Sequence, residues 1–322
     1  MRYDDKDRES ESVEDRRSEQ GGMFGGGRGI QIPIGGGGFS MTTLLIIGAL
    51  MLFFGFNPLD LLRGVQQGGG GDIGVPMPRN DPGARRQSND DTGIHLPGRQ
   101  GPGRVGGEED DMKRFVSRVL ADTEDVWDGV FKSFGRTYTH PRLVLFSGAY
   151  PTGCGQGVAQ MGPFYCPLDQ KIYIDLAFYE ELKRRFNAPG DFAQAYVIAH
   201  EVGHHVQKLL GIADKVQELK ERSDQRRANA IQVRMELQAD CFAGVWANLN
   251  NQLKNRLEQG DIESGLNAAS QIGDDMIQRK TTGRVVPDAF THGSSAQRVK
   301  WFKQGLASGQ IQQCDTFNAS DL

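Results

Sequence analysis

At 322 residues the chain has room for one or two domains, and a formal charge of −4 with 24% charged residues argues against a general affinity for nucleic acid. Many of its 43 glycines crowd into stretches before residue 108. That leaves one segment of about 200 residues able to bury a substantial core.

Residues 1–38 mix acids and bases with few apolar side chains and end in glycine runs, so they read as a disordered cytoplasmic tail. The run 39–56, FSMTTLLIIGALMLFFGF, is uncharged and mostly apolar. As a helix it covers about 27 Å, close to the ~30 Å hydrocarbon core of a bilayer. The long tail ahead of it and the lack of a small-x-small site around Asn57-Pro58-Leu59-Asp60 disfavour a cleaved signal. The expectation is a single transmembrane anchor over 39–62. Arg16, Arg17 and Arg28 precede the run and Arg63 follows it. The positive-inside rule then keeps the N-terminus in the cytoplasm and places the rest outside, at the inner membrane. Residues 63–107, rich in Gly, Pro, Arg and Asp, read as a flexible linker in which His95 is a solvated histidine.

The folded domain is expected over 108–322. Phe115, Val119, Val126, Trp127, Val130, Phe131 and Phe134 fall at helical spacing and predict one or two amphipathic helices. Residues 143–146 and 171–175 read as strands, the second alternating and β-branched, with a loop over 147–167 between them. A helix over 176–186 is broken by Asn187-Ala188-Pro189-Gly190, and Asp191 is placed to cap the next helix.

That next helix carries His200-Glu201-Val202-Gly203-His204 inside an apolar run. Residues four apart share a helix face, so both imidazoles can grip one zinc ion at about 2.0–2.1 Å. Glu201 lies to the side, where it can take a proton from a water on that ion. His205 is rotated about 100° from His204 and reads as a packing or surface histidine. Two helices are expected after it, over 213–222 and 228–253. In the second, Glu236 and Asp240 share a face among Leu237, Ala239, Phe242, Val245 and Trp246. An acid in such a setting needs a charged partner. A catalytic zinc needs a third ligand, and its histidines need acceptors for their other ring nitrogens. Glu236 as ligand and Asp240 as orienter meet both needs. Glu218 and Glu221 compete for the ligand role but sit in a basic, solvated stretch.

The HExxH and Glu-x-x-x-Asp pair resembles the gluzincin metallopeptidases. More narrowly, residues 115–317 resemble the bacterial neutral zinc metallopeptidases of the YpfJ type. The matching stretches are Cys154-Gly155, Gly162-Pro163-Phe164-Tyr165-Cys166-Pro167, the two motifs above with Cys241, Ile272-Gly273-Asp274-Asp275, and Phe290 through Arg298. The likeness to gluzincins implies that His292, in a Thr-His segment followed by arginine, faces the site and steadies the oxyanion. The other reading of His292 is a capping-loop histidine at the start of a helix over 296–306.

An anchored extracytoplasmic domain implies an oxidising side for the cysteines. Four cysteines allow three pairings, and proximity favours Cys154–Cys166 with Cys241–Cys314. The expected fold is α+β, a mostly helical zincin-like domain with a small sheet. The expected function is a membrane-tethered zinc endopeptidase acting on protein or peptide substrates, with strand 171–175 pairing against extended substrate. The alternative is a zinc-stabilised, non-catalytic scaffold at the membrane.

Overall fold

A computed structural model describes residues 1–19, 105–184 and 190–322. The expected span 39–62 lies outside the described residues, as do most of the flanking tail and linker. Among the described residues no helix is long and apolar enough to cross a membrane.

The domain opens on a long helix, α1 (Val105–Ser133), which begins three residues ahead of the expected boundary. Val116, Val119, Leu120, Trp127 and Phe131 form its buried stripe. Strands β2 (Arg142–Phe146) and β6 (Lys171–Asp175) follow the expected positions. Leu143 to Phe146 are all buried, as befits a strand covered on both faces. The 147–167 loop is in fact structured. It contains a hairpin, β3 (Ala149–Thr152) with β4 (Gly155–Val158), then strand β5 (Phe164–Cys166). Its glycine content hides the alternation that would have marked strands.

The main sheet has the order β1-β2-β6-β5, where β1 is Val13–Asp15. The β1–β2 and β2–β6 pairs are parallel, and β5–β6 is antiparallel. This corrects the expected substrate strand: residues 171–175 are interior, paired on both sides, and have no edge to offer. The edge next to the histidine helix is β5.

The tail reading is also corrected for residues 1–19. They lie on the domain, with β1 added to the edge of β2 and Arg8 bonded to Glu124 and Asp125. Their charges have fixed partners on the domain, a complementarity that composition does not reveal.

The helices run α2 (Ala177–Arg184), α3 (Asp191–Leu209), α4 (Ile212–Glu221), α5 (Gln225–Lys254), α6 (Asp261–Gln271), α7 (Asp274–Thr282) and α8 (Ser295–Ser308). Asp191 is the first residue of α3 and not its cap; Gly190 precedes the helix. Three helices matter for the site. At Gly203 a Cβ would come within 3.1 Å of the Ala239 backbone, so α3 and α5 touch beside the histidines. At Gly305 a Cβ would fall 1.9 Å from the Cys241 carbonyl oxygen, and at Gly244 it would fall 2.1 Å from that of Phe302. Helices α5 and α8 therefore pack backbone to backbone, which requires glycine at both positions.

Candidate metal centre

Helix α3 delivers His200, Glu201 and His204, and α5 delivers Glu236 and Asp240. All are buried except His204, which is slightly more open. The two histidine Nε2 atoms converge on one carboxylate oxygen, Glu236 Oε2, at 3.2 Å from His200 and 3.4 Å from His204. Two ligands on one tetrahedral ion with bonds of ~2.0–2.1 Å stand about 3.3 Å apart. One donor atom from each of the three residues falls within 4.8 Å of the others. The set has the size and chemistry of a zinc site, and three protein ligands suit a catalytic rather than a structural one.

The opposite ring nitrogens are both pinned. His200 Nδ1 donates to Asp240 Oδ1 at 2.8 Å, and His204 Nδ1 donates to Gln207 Oε1 at 2.9 Å. Once each ring gives up its second proton, Nε2 is the nitrogen left to present a lone pair to a cation. The structure thus brings Asp240 to the His200 ring. Gln207, three residues beyond His204 on the same helix face, was missed, although i,i+3 spacing could have suggested it. Gln207 in turn donates to the Met235 carbonyl and to Gln238 Oε1, and Gln238 donates to the Cys314 carbonyl at 2.9 Å.

Behind Asp240 stands Arg298 of α8. Its Nε and one terminal nitrogen each lie 2.9 Å from the two carboxylate oxygens. Tyr196 also donates to Asp240 Oδ1. Burial would raise the Asp240 carboxyl, but Arg298 and His200 outweigh it and hold it at about 2. Burial also opposes a charge on His200, yet with protein groups alone Asp240 and Glu236 raise it to about 10. The pocket is therefore built to keep positive charge at the point where the ligands meet. Burial raises the Glu201 carboxyl above its ordinary range, which moves its proton affinity toward that of a general base working near neutrality.

His292 lies in the loop at the start of α8, as its second reading has it. Its loop precedes α8, where Ser294 and Gln297 form a capping box. Asp274 organises that loop: its Oδ2 accepts the backbone N–H groups of Thr291, His292 and Gly293 at 2.6, 2.6 and 3.0 Å, and its Oδ1 lies 3.3 Å from His292 Nδ1. The ring itself is half exposed. It is near enough to Glu236 for its charge to help lower that carboxyl; burial would raise Glu236, but His204, His200 and His292 prevail. His205 is not part of the His200, His204 and Glu236 cluster. It is buried, donates from Nε2 to the Thr139 carbonyl at 2.7 Å and accepts from Tyr165 at 3.1 Å. Glu218 and Glu221 are exposed on α4, away from the cluster. The disulfides are Cys154–Cys166 and Cys241–Cys314, the pairing that proximity favoured, and no cysteine is free.

A family profile described as "putative neutral zinc metallopeptidase" matches residues 1–317. The chain belongs to that family. The match begins at the first residue and so takes in the N-terminal segment that the motifs alone left out. The YpfJ protein of Escherichia coli K12 is 47% identical over 313 residues, covering 97% of this chain and 98% of the relative. The Rv2575 protein of Mycobacterium tuberculosis H37Rv is 44% identical over 222 residues, 66% of this chain and 74% of that protein. No solved structure matches.

Proposed function

We propose that this family member is a zinc-dependent endopeptidase in which His200, His204 and Glu236 hold the metal and Glu201 is the general base. One observation carries the reading. The donor atoms of three residues meet at tetrahedral spacing, while a further buried acid on the helix of the two histidines, Glu201, is not needed as a ligand.

A zinc ion held there would supply Lewis acidity and a water of lowered pKa. The protein's own residues do the rest. Glu201 takes a proton from the attacking water and returns it to the leaving amine. Asp240 and Gln207 keep both imidazoles in the tautomer that presents Nε2. His292, with Nδ1 turned to Asp274, is free to donate from Nε2 to the carbonyl oxygen as charge develops. The β5 edge beside α3 is the segment best placed to pair with extended peptide.

The two disulfides favour an oxidising, extracytoplasmic compartment for the domain. The apolar run 39–56 is the segment we propose brings it to the inner membrane. A purely structural zinc has no use for Glu201, which weighs against the scaffold reading. Glu201→Gln decides between them. Zinc content should stay near wild type while peptide turnover falls by roughly 10²–10⁴-fold or more; equal turnover in both would overturn the mechanism.

A further inference from the structure

Residues 1–19 are bound to the domain at three separate places. Near the start, the Arg2 amide donates to the Arg256 carbonyl at 3.0 Å, the Arg256 guanidinium lies 4.5 Å over the Tyr3 ring, and the Tyr3 hydroxyl donates to Asp122 at 3.0 Å. In the middle, Arg8 donates to Glu124 at 2.8 Å, to the Ala121 carbonyl at 2.7 Å and to Asp125 at 2.6 Å. Ser10 and Ser117 are joined in both directions, by Ser10 N–H to the Ser117 carbonyl at 3.1 Å and by the Ser117 hydroxyl to the Ser10 carbonyl at 3.0 Å. At the far end, β1 pairs with β2, and Glu14 sits between Arg142 at 3.0 Å and Lys171 at 3.2 Å.

The domain side is shaped for this segment. Glu124 of α1 is 1% exposed, and its two carboxylate oxygens accept from Arg8 and Ser10. Removing the segment would strip both bonds from a buried carboxylate, among the costlier arrangements in a protein. It would also bare the edge of β2, whose own residues Val144 and Phe146 are buried. The family profile runs across the same residues.

Contacts of this kind cannot be made through a hydrocarbon layer of about 30 Å. We infer that residues 1–19 and 105–322 fold as one body on one side of the membrane. The N-terminal segment then shares the compartment of the domain it is docked on. This inference stands whether or not the domain cleaves peptides.

The test uses the full-length chain in spheroplasts. With all four native cysteines in disulfides, Glu11→Cys and Lys303→Cys, both at exposed positions, each add one reactive thiol. A membrane-impermeant maleimide should treat the two alike. Labelling of both supports the inference, as does protection of both until the membrane is opened. The second result would overturn the extracytoplasmic placement but not this one. Labelling of Lys303→Cys with protection of Glu11→Cys would overturn the inference. A second measurement guards against a disturbed segment. Arg8→Glu sets like charge against Glu124 and Asp125 and should lower the Tm of the purified full chain by about 4 °C or more. An unchanged Tm would mean that the segment is not docked.

Discussion

Arg298 of α8 grips both carboxylate oxygens of Asp240, at 2.9 Å each, and Asp240 in turn holds His200 Nδ1 at 2.8 Å. A residue 98 positions away in sequence thereby sets the orientation of a proposed metal ligand. Arg298→Met should weaken zinc binding by about 10–100-fold, as Asp240→Asn should, because either change loosens the histidine. Arg298→Met leaves Asp240 buried and short of its partner, so it should also cost on the order of 3–5 kcal/mol of stability. Chelator competition and urea unfolding measure the two effects. Unaltered zinc affinity in both variants would detach this pair from the centre.

Zinc affinity should fall as the pH falls. With protein groups alone His200 holds its proton up to about 10, so a metal must displace that proton at any pH below this value. Each unit of acidification should weaken zinc binding by up to tenfold per proton released. Dissociation constants at pH 8 and pH 6 should differ by one to two orders of magnitude. Equal constants would rule His200 out as a ligand.

His292→Gln should retain zinc and lower turnover by roughly 10²–10³-fold, the cost of one lost donor to a developing oxyanion. Asp274→Asn should lower turnover by less, since it loosens the loop but leaves the imidazole. Metal analysis with initial rates on a peptide tests both, and full activity in His292→Gln would leave that residue a member of the capping loop alone.

His205 should make the fold less stable in mild acid. Its burial pushes the imidazole down to about 4, from an ordinary value near 6.5. Between those two values the unfolded chain takes up a proton that the folded chain refuses. Stability is therefore lost as pH falls through 6.5 and levels off below 4, by roughly 3 kcal/mol at most. Thermal unfolding between pH 7 and pH 4 should show a shallower decline in His205→Gln than in wild type.

Much of the metal centre was legible because helical geometry is local. The i,i+4 spacings of His200 with His204 and of Glu236 with Asp240 put each pair on one face, and apolar neighbours said that the faces were buried. The partners that fix those residues were harder to find. Arg298 reaches Asp240 through the contact of α5 with α8 at Gly244 and Gly305, and no periodicity encodes that contact. Strand 171–175 was found, but whether it lay at the edge or inside the sheet depended on β1 and β5, each three residues long. β1 was hidden in a segment whose charges read as solvated because their partners lie more than a hundred residues away, as with Arg8 and Glu124.

The relay from His204 through Gln207 and Gln238 ends on the carbonyl of Cys314, the residue that closes the disulfide with Cys241. During synthesis HExxH emerges more than a hundred residues before that carbonyl exists. A nascent chain can thus display both histidines while one imidazole still lacks its final support. Full support of the His204 ring therefore waits for the synthesis and docking of residue 314.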